Sequence, residues 1–177
     1  ECRQLDFGDA AASYKTLFAD DGPRHAVDLR DGYKLTIGSA VTAELDGTPS
    51  AHANSDGSDD GASFSGLRPS VTEVGFFDHT FSFSGATNTN YRACWDDWID
   101  FDQDGVFGNH LNEVVVSTSG GGTNSHPQTF SVQVPAGAKV GKTMARVRVH
   151  AVPTPATSCT PLPAYGYGGV GEVEDLE

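Results

Sequence analysis

Hydrophobic and polar residues alternate along much of this chain, a pattern typical of half-buried β-strands. In the segment 129–134, every second residue is a phenylalanine or a valine. In the segment 145–152, alanines and valines are predicted to point inward, whereas Arg146, Arg148 and His150 are predicted to point outward. Further predicted strands are 71–76, 77–83, 91–101 and 113–119. Short strands separated by turn residues predict an all-β fold, an antiparallel β-sandwich of jelly-roll or immunoglobulin-like type.

Three segments depart from this pattern. Residues 9–19 contain fair helix-forming residues, which predict at most one or two short turns of helix. Residues 46–63 are nearly free of large apolar side chains, and residues 153–169 are rich in proline and glycine. Both are predicted to be long loops. At 177 residues, the chain is long enough for a single domain, 1–177, with its own core.

An acidic run after one predicted strand is the strongest indication of chemistry. Asp100, Asp102 and Asp104 alternate along the backbone and are followed directly by Gly105. Alternation lets three carboxylates converge on one hard cation, and glycine permits the sharp turn. The alternative is an Asx-rich turn, in which the side chains bond only their own backbone. Because such close carboxylates repel one another unless a cation binds or their pKa values rise, we favour a Ca²⁺ site.

The run fits the helical calcium-binding loop only in part. Leu111 occupies position twelve, where that loop carries a glutamate, and Glu113 follows two residues later. We therefore expect a calcium loop carried by strands rather than by two helices. Its predicted ligands are Asp100, Asp102, Asp104, the backbone carbonyl of Val106 and Glu113.

Composition excludes several classes of function. The formal net charge is −13, from 24 acidic and 11 basic residues, so we expect no binding to nucleic acid or to anionic membranes. No apolar stretch approaches the length that spans a bilayer, so we also expect no membrane insertion. The chain has no Gly-x-Ser-x-Gly elbow, no His-Glu-x-x-His motif and no phosphate-binding glycine loop. We therefore expect that the protein is not an enzyme.

The three cysteines, Cys2, Cys94 and Cys159, are too scattered for a zinc site and predict one disulfide with one thiol left over. In an exported protein Cys2–Cys159 is the preferred pair, because it would tie the N-terminal segment to the loop before the last strand. Cys94–Cys159 is the alternative, and the sequence does not choose between them.

At residues 171–175 the chain reads Gly-Glu-Val-Glu-Asp, and here it resembles the GEVED domain of secreted and cell-surface bacterial proteins. The other elements of the resemblance follow in family order at 6–10, 22–25, 43–47, 56–61, 98–105, 134–136 and 146–148, over nearly the whole length. The resemblance implies an exported, all-β, non-catalytic module of a larger chain, often an adhesin, a protease or a polysaccharide-degrading enzyme. The family usually continues its final strand where this chain ends, so residues 176–177 are compatible with a tag remnant.

A second calcium site is predicted where residues 6–9, the loop 56–60 and residues 172–174 could meet. Its candidate ligands are Asp6, Asp9, Asp56, Asp59, Asp60, Glu172 and Glu174. The alternative is that Glu172 and Glu174 form surface ion pairs with Arg24 or Arg146.

Three aromatic residues suggest where a ligand could bind. Trp98 shares its predicted outward face with Asp100 and Asp102, an arrangement that could stack a sugar ring, although the indole could instead cover a neighbouring loop. Tyr165 and Tyr167, among glycines, are further candidates for ligand binding. We therefore expect a secreted or cell-surface, calcium-stabilised binding or adhesion module that binds carbohydrate. A protein- or peptide-binding module and a purely structural spacer are the alternatives.

Overall fold

The computed structural model describes residues 3–28, 34–55, 61–65, 74–84, 91–117, 126–154 and 158–177. Within these ranges the chain forms ten β-strands and two short 3-10 helices, Ala12–Tyr14 and Phe18–Asp20. The strands are β1 Leu5–Phe7, β2 Arg24–Ala26, β3 Lys34–Ile37, β4 Ala62–Ser65, β5 Val74–Ser84, β6 Tyr91–Ile99, β7 Val114–Ser117, β8 His126–Gln133, β9 Ala145–Pro153 and β10 Tyr167–Leu176. The predicted all-β class is confirmed. In the described part of the chain, no helix is long and apolar enough to cross a membrane.

The strands form two sheets. The larger has the order β1-β2-β10-β9-β6-β7, and in the smaller β5 pairs with β3, β4 and β8. Every pairing between these strands is antiparallel except one, since β10 runs parallel to β2, with Tyr167 opposite Arg24 and Val170 opposite Ala26. The prediction of purely antiparallel sheets is therefore wrong for the larger one. Because β2 and β10 lie far apart in sequence, no tight turn dictates their relative direction.

The predicted elements agree with the observed ones in type more than in boundaries. The two segments predicted at 71–76 and 77–83 belong to one continuous strand, β5, from Val74 onward. The segment 9–19 contains one short 3-10 helix and the start of the next, which confirms the prediction of one or two short helical turns. The loop between residues 46 and 63 contains the beginning of β4, and residues 56–60 of it lie outside the described residues.

One apolar cluster receives side chains from both sheets. Leu35 and Ile37 of β3 are fully buried and belong to the same cluster as Trp95 of β6 and Val147 and Val149 of β9. The predicted inward face of β9 is therefore confirmed. Burial of this apolar surface is the main favourable contribution to folding.

The opposite face of β9 is covered too, contrary to the expectation that it meets solvent. Arg146 and Arg148 are fully buried and His150 nearly so. They lie beneath residues 158–166, which we call the strap. The outward direction of these side chains follows from strand alternation, but the alternation does not reveal that another segment covers them.

The disulfide joins Cys94 in β6 to Cys159 at the start of the strap, with 5.7 Å between their Cα atoms. The preferred prediction, Cys2–Cys159, is therefore wrong, and the alternative pairing is the observed one. The bond attaches the strap to the outer face of the larger sheet, where Cys94 stands opposite His150. Cys2 lies outside the described residues.

Candidate metal centre

The acidic loop, residues 100–113, begins where β6 ends, and hydrogen bonds hold its first residue, Asp100, in place. Asp100 is fully buried, and its Oδ2 accepts hydrogen bonds from the Tyr14 hydroxyl at 2.6 Å and from the Gly105 backbone N–H at 3.0 Å. Its backbone N–H donates to the Met144 carbonyl at 3.0 Å. Gly105 has a φ of +85°, so the predicted need for glycine at the turn is confirmed.

Asp102 and Asp104 continue the loop with the local contacts of an Asx turn. The Asp104 N–H donates to Oδ1 of Asp102 at 3.1 Å and to Oδ1 of Asp100 at 3.3 Å. The two carboxylate oxygens of Asp104 accept from the Val106 N–H at 2.8 Å and from the Asn109 side-chain amide at 2.7 Å. The turn interpretation thus describes Asp104 well, and the metal roles of Asp104 and the Val106 carbonyl stay predictions.

Glu113 ends the acidic loop and follows two residues with left-handed backbone, Leu111 at φ 50° and Asn112 at φ 55°. Its side chain is 1% exposed, and Oε2 accepts the Gly108 N–H at 3.0 Å. Oε1 is buried and has no hydrogen-bond partner among the described residues. An unpaired buried carboxylate oxygen is costly unless a proton or a cation compensates it.

The surroundings of Glu113 raise its pKa. Burial is the largest cause, and the negative charges of Asp100 and Asp102 act in the same direction, while backbone hydrogen bonds from Gly108 and Asn109 lower the pKa. A bound cation would reverse this effect by favouring the ionised form.

Ligand atoms of Asp100, Asp102 and Glu113 lie within 4.8 Å of one another. Oxygens that share one Ca²⁺ at about 2.3–2.6 Å can be separated by up to about twice that distance, so the three carboxylates fit a calcium ion. A more exposed group, Asp102, Asp104 and His110, meets the same distance limit. The arrangement can hold a hard cation on oxygen ligands at the end of β6.

The second predicted site has a different geometry. Asp6, Asp9, Glu172 and Glu174 are buried, but among the described residues they do not form a group of three within 4.8 Å. Asp56, Asp59 and Asp60 lie outside the described residues. The metal roles of all seven therefore stay predictions.

These acids do connect distant segments through backbone N–H groups. Oδ2 of Asp6 accepts from Val173 at 2.7 Å, and Oδ2 of Asp9 accepts from Ser55 at 2.5 Å. Glu172 accepts from the Ile37 N–H, and both Glu174 oxygens accept from Gly61 at 3.1 Å. The ion pairs predicted as the alternative take other partners, because Arg24 binds Asp21 and Arg146 binds Asp175.

The pair Arg146–Asp175 is the polar feature that the sequence reasoning missed. The Arg146 Nε and Nη2 atoms donate to the two Asp175 carboxylate oxygens at 2.6 and 2.9 Å, and both side chains are fully buried. Asp175 Oδ2 also accepts the Ala10 N–H at 2.8 Å. The sequence feature that could have indicated this pair is a strand with arginine at two successive outward positions, followed by a proline-rich segment that can cover them.

The strap is bound mainly through its backbone. Arg148 Nη1 donates to the carbonyls of Pro163 at 2.6 Å and Tyr165 at 2.9 Å, and Arg146 Nη1 donates to Ala164 at 2.9 Å. Arg148 Nε also donates to Nε2 of His25 at 3.1 Å, so that ring nitrogen carries no proton. The outward face of β9 is therefore buried beneath the strap, and its arginines hold the strap by hydrogen bonds.

The aromatic candidates differ in accessibility. Trp98 is 3% exposed and packs in a cluster with Tyr14, Phe107 and Met144. Trp98 does lie on the outward face of β6, as predicted, but it is buried there and so is not open to a sugar. Its burial agrees with the alternative, that Trp98 covers a neighbouring loop. Tyr165 is partly buried, and its hydroxyl accepts the Phe107 N–H at 3.0 Å. Tyr167 is 48% exposed.

Comparison with known proteins gives one match. The model of the family described as GEVED domain matches residues 95–176, from within β6 to the end of β10, and this part includes the candidate metal centre. No curated protein and no solved structure matches the chain. The elements of the resemblance that precede residue 95 lie outside the matched part. Residues 95–176 of this chain belong to the GEVED domain family.

Proposed function

We propose that the chain is a calcium-stabilised, non-catalytic binding or adhesion module of a larger secreted or cell-surface bacterial protein. The observation that supports this most is the buried Oε1 of Glu113, which has no hydrogen-bond partner among the described residues and belongs to a cluster with Asp100 and Asp102. A Ca²⁺ ion would supply the missing counter-charge. Export rests on the resemblance to GEVED domains, and the disulfide is in keeping with an oxidising compartment.

The ion would act by preorganisation. It would fix the acidic loop, which bonds to Tyr14 and Tyr165, and would thereby hold the neighbouring segments that carry Phe18 and Tyr167 in place before any ligand arrives. The apolar faces of the two sheets contribute to one core, which supports a β-sandwich of jelly-roll or immunoglobulin-like type as the scaffold.

We place the carbohydrate-binding surface at Phe18 and Tyr167 instead of Trp98. Phe18 is 54% exposed, and the Arg24 guanidinium lies 4.7 Å from its ring centroid. Tyr167 stands opposite Arg24 in the pairing of β10 with β2, and its hydroxyl accepts a hydrogen bond from Arg3 at 3.1 Å. Exposed rings with adjacent hydrogen-bond donors are suited to stacking a sugar and binding its hydroxyls.

A glycan array probed with and without Ca²⁺ tests the proposal. We expect glycan binding that requires Ca²⁺ and is lost in Tyr167→Ala and Phe18→Ala. Val140→Ala, which truncates an apolar side chain that is 79% exposed at another loop, should bind as the wild type does. An array without any bound glycan would contradict the carbohydrate assignment. Binding to a protein partner would then favour an adhesion module of another kind, and the absence of any ligand would favour a spacer.

A further inference from the structure

Tyr14 contacts the candidate metal centre, although it precedes the part of the chain that matches the family, residues 95–176. It ends the first 3-10 helix, Ala12–Tyr14, and only 7% of it is exposed. Its hydroxyl donates to Oδ2 of Asp100 at 2.6 Å, and its ring packs against Phe107 with 4.7 Å between centroids. The N-terminal segment therefore contacts both a predicted ligand and the loop that carries it.

The two oxygens of Asp100 are held differently. Oδ2 accepts two close hydrogen bonds, from Tyr14 and from the Gly105 N–H. Oδ1 accepts one longer contact, 3.3 Å from the Asp104 N–H. A carboxylate with one oxygen held by two donors has a fixed orientation, and its second oxygen remains available to a cation. Hydrogen bonds of this kind orient metal ligands, and their removal typically lowers metal affinity about 10–100-fold.

We propose that Tyr14 is a positioning residue of the cation site, an inference that rests on the proposed calcium binding. It orients Asp100 toward Asp102 and Glu113 without contacting the ion. The Tyr14 hydroxyl is the donor in this contact, because the ionised Asp100 carboxylate can only accept. The cation site then needs Tyr14 of the N-terminal segment as well as residues of the family-matched part.

Tyr14 is itself held in place by contacts to the rest of the fold. The Ala10 N–H donates to Oδ2 of Asp175 at 2.8 Å, and the Thr16 hydroxyl donates to the Ala10 carbonyl at 2.7 Å. The Tyr14 N–H donates to the Ala11 carbonyl at 2.8 Å. These contacts tie the first 3-10 helix to β10 and direct the phenol at Asp100.

Tyr165 provides a matched control. Its hydroxyl also contacts the acidic loop, but it accepts a hydrogen bond from the Phe107 backbone and, among the described residues, bonds to no carboxylate of the candidate metal centre. Removing this hydroxyl should therefore disturb loop packing to a similar extent without changing the orientation of Asp100.

Calorimetric titration of Ca²⁺ into the full chain tests the inference with wild type, Tyr14→Phe and Tyr165→Phe. We expect Tyr14→Phe to weaken Ca²⁺ binding by about tenfold or more, and Tyr165→Phe to leave it near the wild-type value. Near-ultraviolet circular dichroism in EDTA should show that both variants keep the native packing.

Each outcome bears on one of the two proposals. If the wild type binds no Ca²⁺, the proposed function fails. If the wild type binds Ca²⁺ and Tyr14→Phe binds it equally well, or both variants lose affinity equally, the positioning role of Tyr14 is overturned. Should Tyr14→Phe fail to fold, a crystal structure of the wild type with bound Ca²⁺ takes its place. A Tyr14 hydroxyl that no longer donates to Oδ2 of Asp100, or that binds the ion itself, would then overturn the inference.

Discussion

At the scale of single residues, the structure is distinguished by charges placed where no solvent reaches them. Arg146 and Asp175 form a fully buried pair with two parallel hydrogen bonds. Removing one partner of such a pair leaves the other as an uncompensated buried charge, which costs far more than the pair itself contributes. Exposed pairs such as Arg24–Asp21 contribute little, because water and salt screen them.

Asp175→Asn should destabilise the protein by about 3–5 kcal/mol, because Arg146 then remains buried without its counter-charge. Urea unfolding at neutral pH measures this effect. Asp21→Asn is the matched control, since the Asp21 side chain is 74% exposed, and it should cost less than about 1 kcal/mol. Equal effects of the two substitutions would contradict the assigned importance of the buried pair.

Two buried histidines give the protein an acid-sensitive contribution to stability. Burial, followed by the positive charge of Arg148, lowers the pKa of His150 to about 4, and the same causes lower the pKa of His25. Below its usual pKa of about 6.5, each histidine binds a proton more readily in the unfolded chain. The contribution of the two histidines to the free energy of unfolding should therefore fall as the pH falls from about 6.5 toward 4.

Urea unfolding as a function of pH tests this contribution through His150→Gln. In that variant we expect a smaller loss of stability between pH 6.5 and 4 than in the wild type. His52→Gln, which changes a side chain that is 61% exposed, should follow the wild-type profile. Identical profiles for His150→Gln and the wild type would contradict the role of His150. Asp97 and, without metal, Glu113 have raised pKa values and act in the opposite direction, so the comparison between variants isolates the histidine.

At the scale of elements, the strap and β10 join parts of the chain that are distant in sequence. The strap is held by the disulfide, by the buried arginines of β9 and by Asp96, whose Oδ2 accepts the Leu162 N–H at 2.9 Å. In β10, Gly171 is required by close packing, because a Cβ there would lie 1.8 Å from the Val149 carbonyl oxygen. Glu172 accepts from the Ile37 N–H in β3, and Glu174 accepts from the N–H of Gly61, the residue before β4. The Gly-Glu-Val-Glu-Asp motif thus has a structural role in this fold.

Replacing both cysteines of the disulfide, Cys94→Ser with Cys159→Ser, should destabilise the protein by about 4 kcal/mol. The bond closes a sequence separation of 65 residues, and the unfolded chain gains entropy when it is removed. Chemical denaturation measures the loss, and hydrogen exchange should show faster exchange at the Leu162 N–H. Wild-type exchange rates in the double variant would show that the arginine contacts alone hold the strap.

At the scale of the whole molecule, local sequence patterns predicted the strands but could not predict which distant segments pair or pack together. Alternation identified the core face of β9, and the spacing of Asp100, Asp102 and Glu113 identified side chains that do gather. Neither pattern reports which segment covers the other face of a sheet. For that reason the burial of Arg148 and Trp98 and the choice of Cys94 as disulfide partner could not be read from the sequence.

The central claim is that Ca²⁺ binds at Asp100, Asp102 and Glu113 and stabilises the fold. Thermal unfolding in saturating Ca²⁺ and in EDTA tests it most directly, with Glu113→Gln as the matched variant. A ligand at a hundred times its dissociation constant adds about 2.7 kcal/mol, which corresponds to a rise in Tm of about 5–10 °C for a chain of this size. We predict that rise for the wild type and its loss in Glu113→Gln. The same Tm for the wild type in Ca²⁺ and in EDTA would contradict the account.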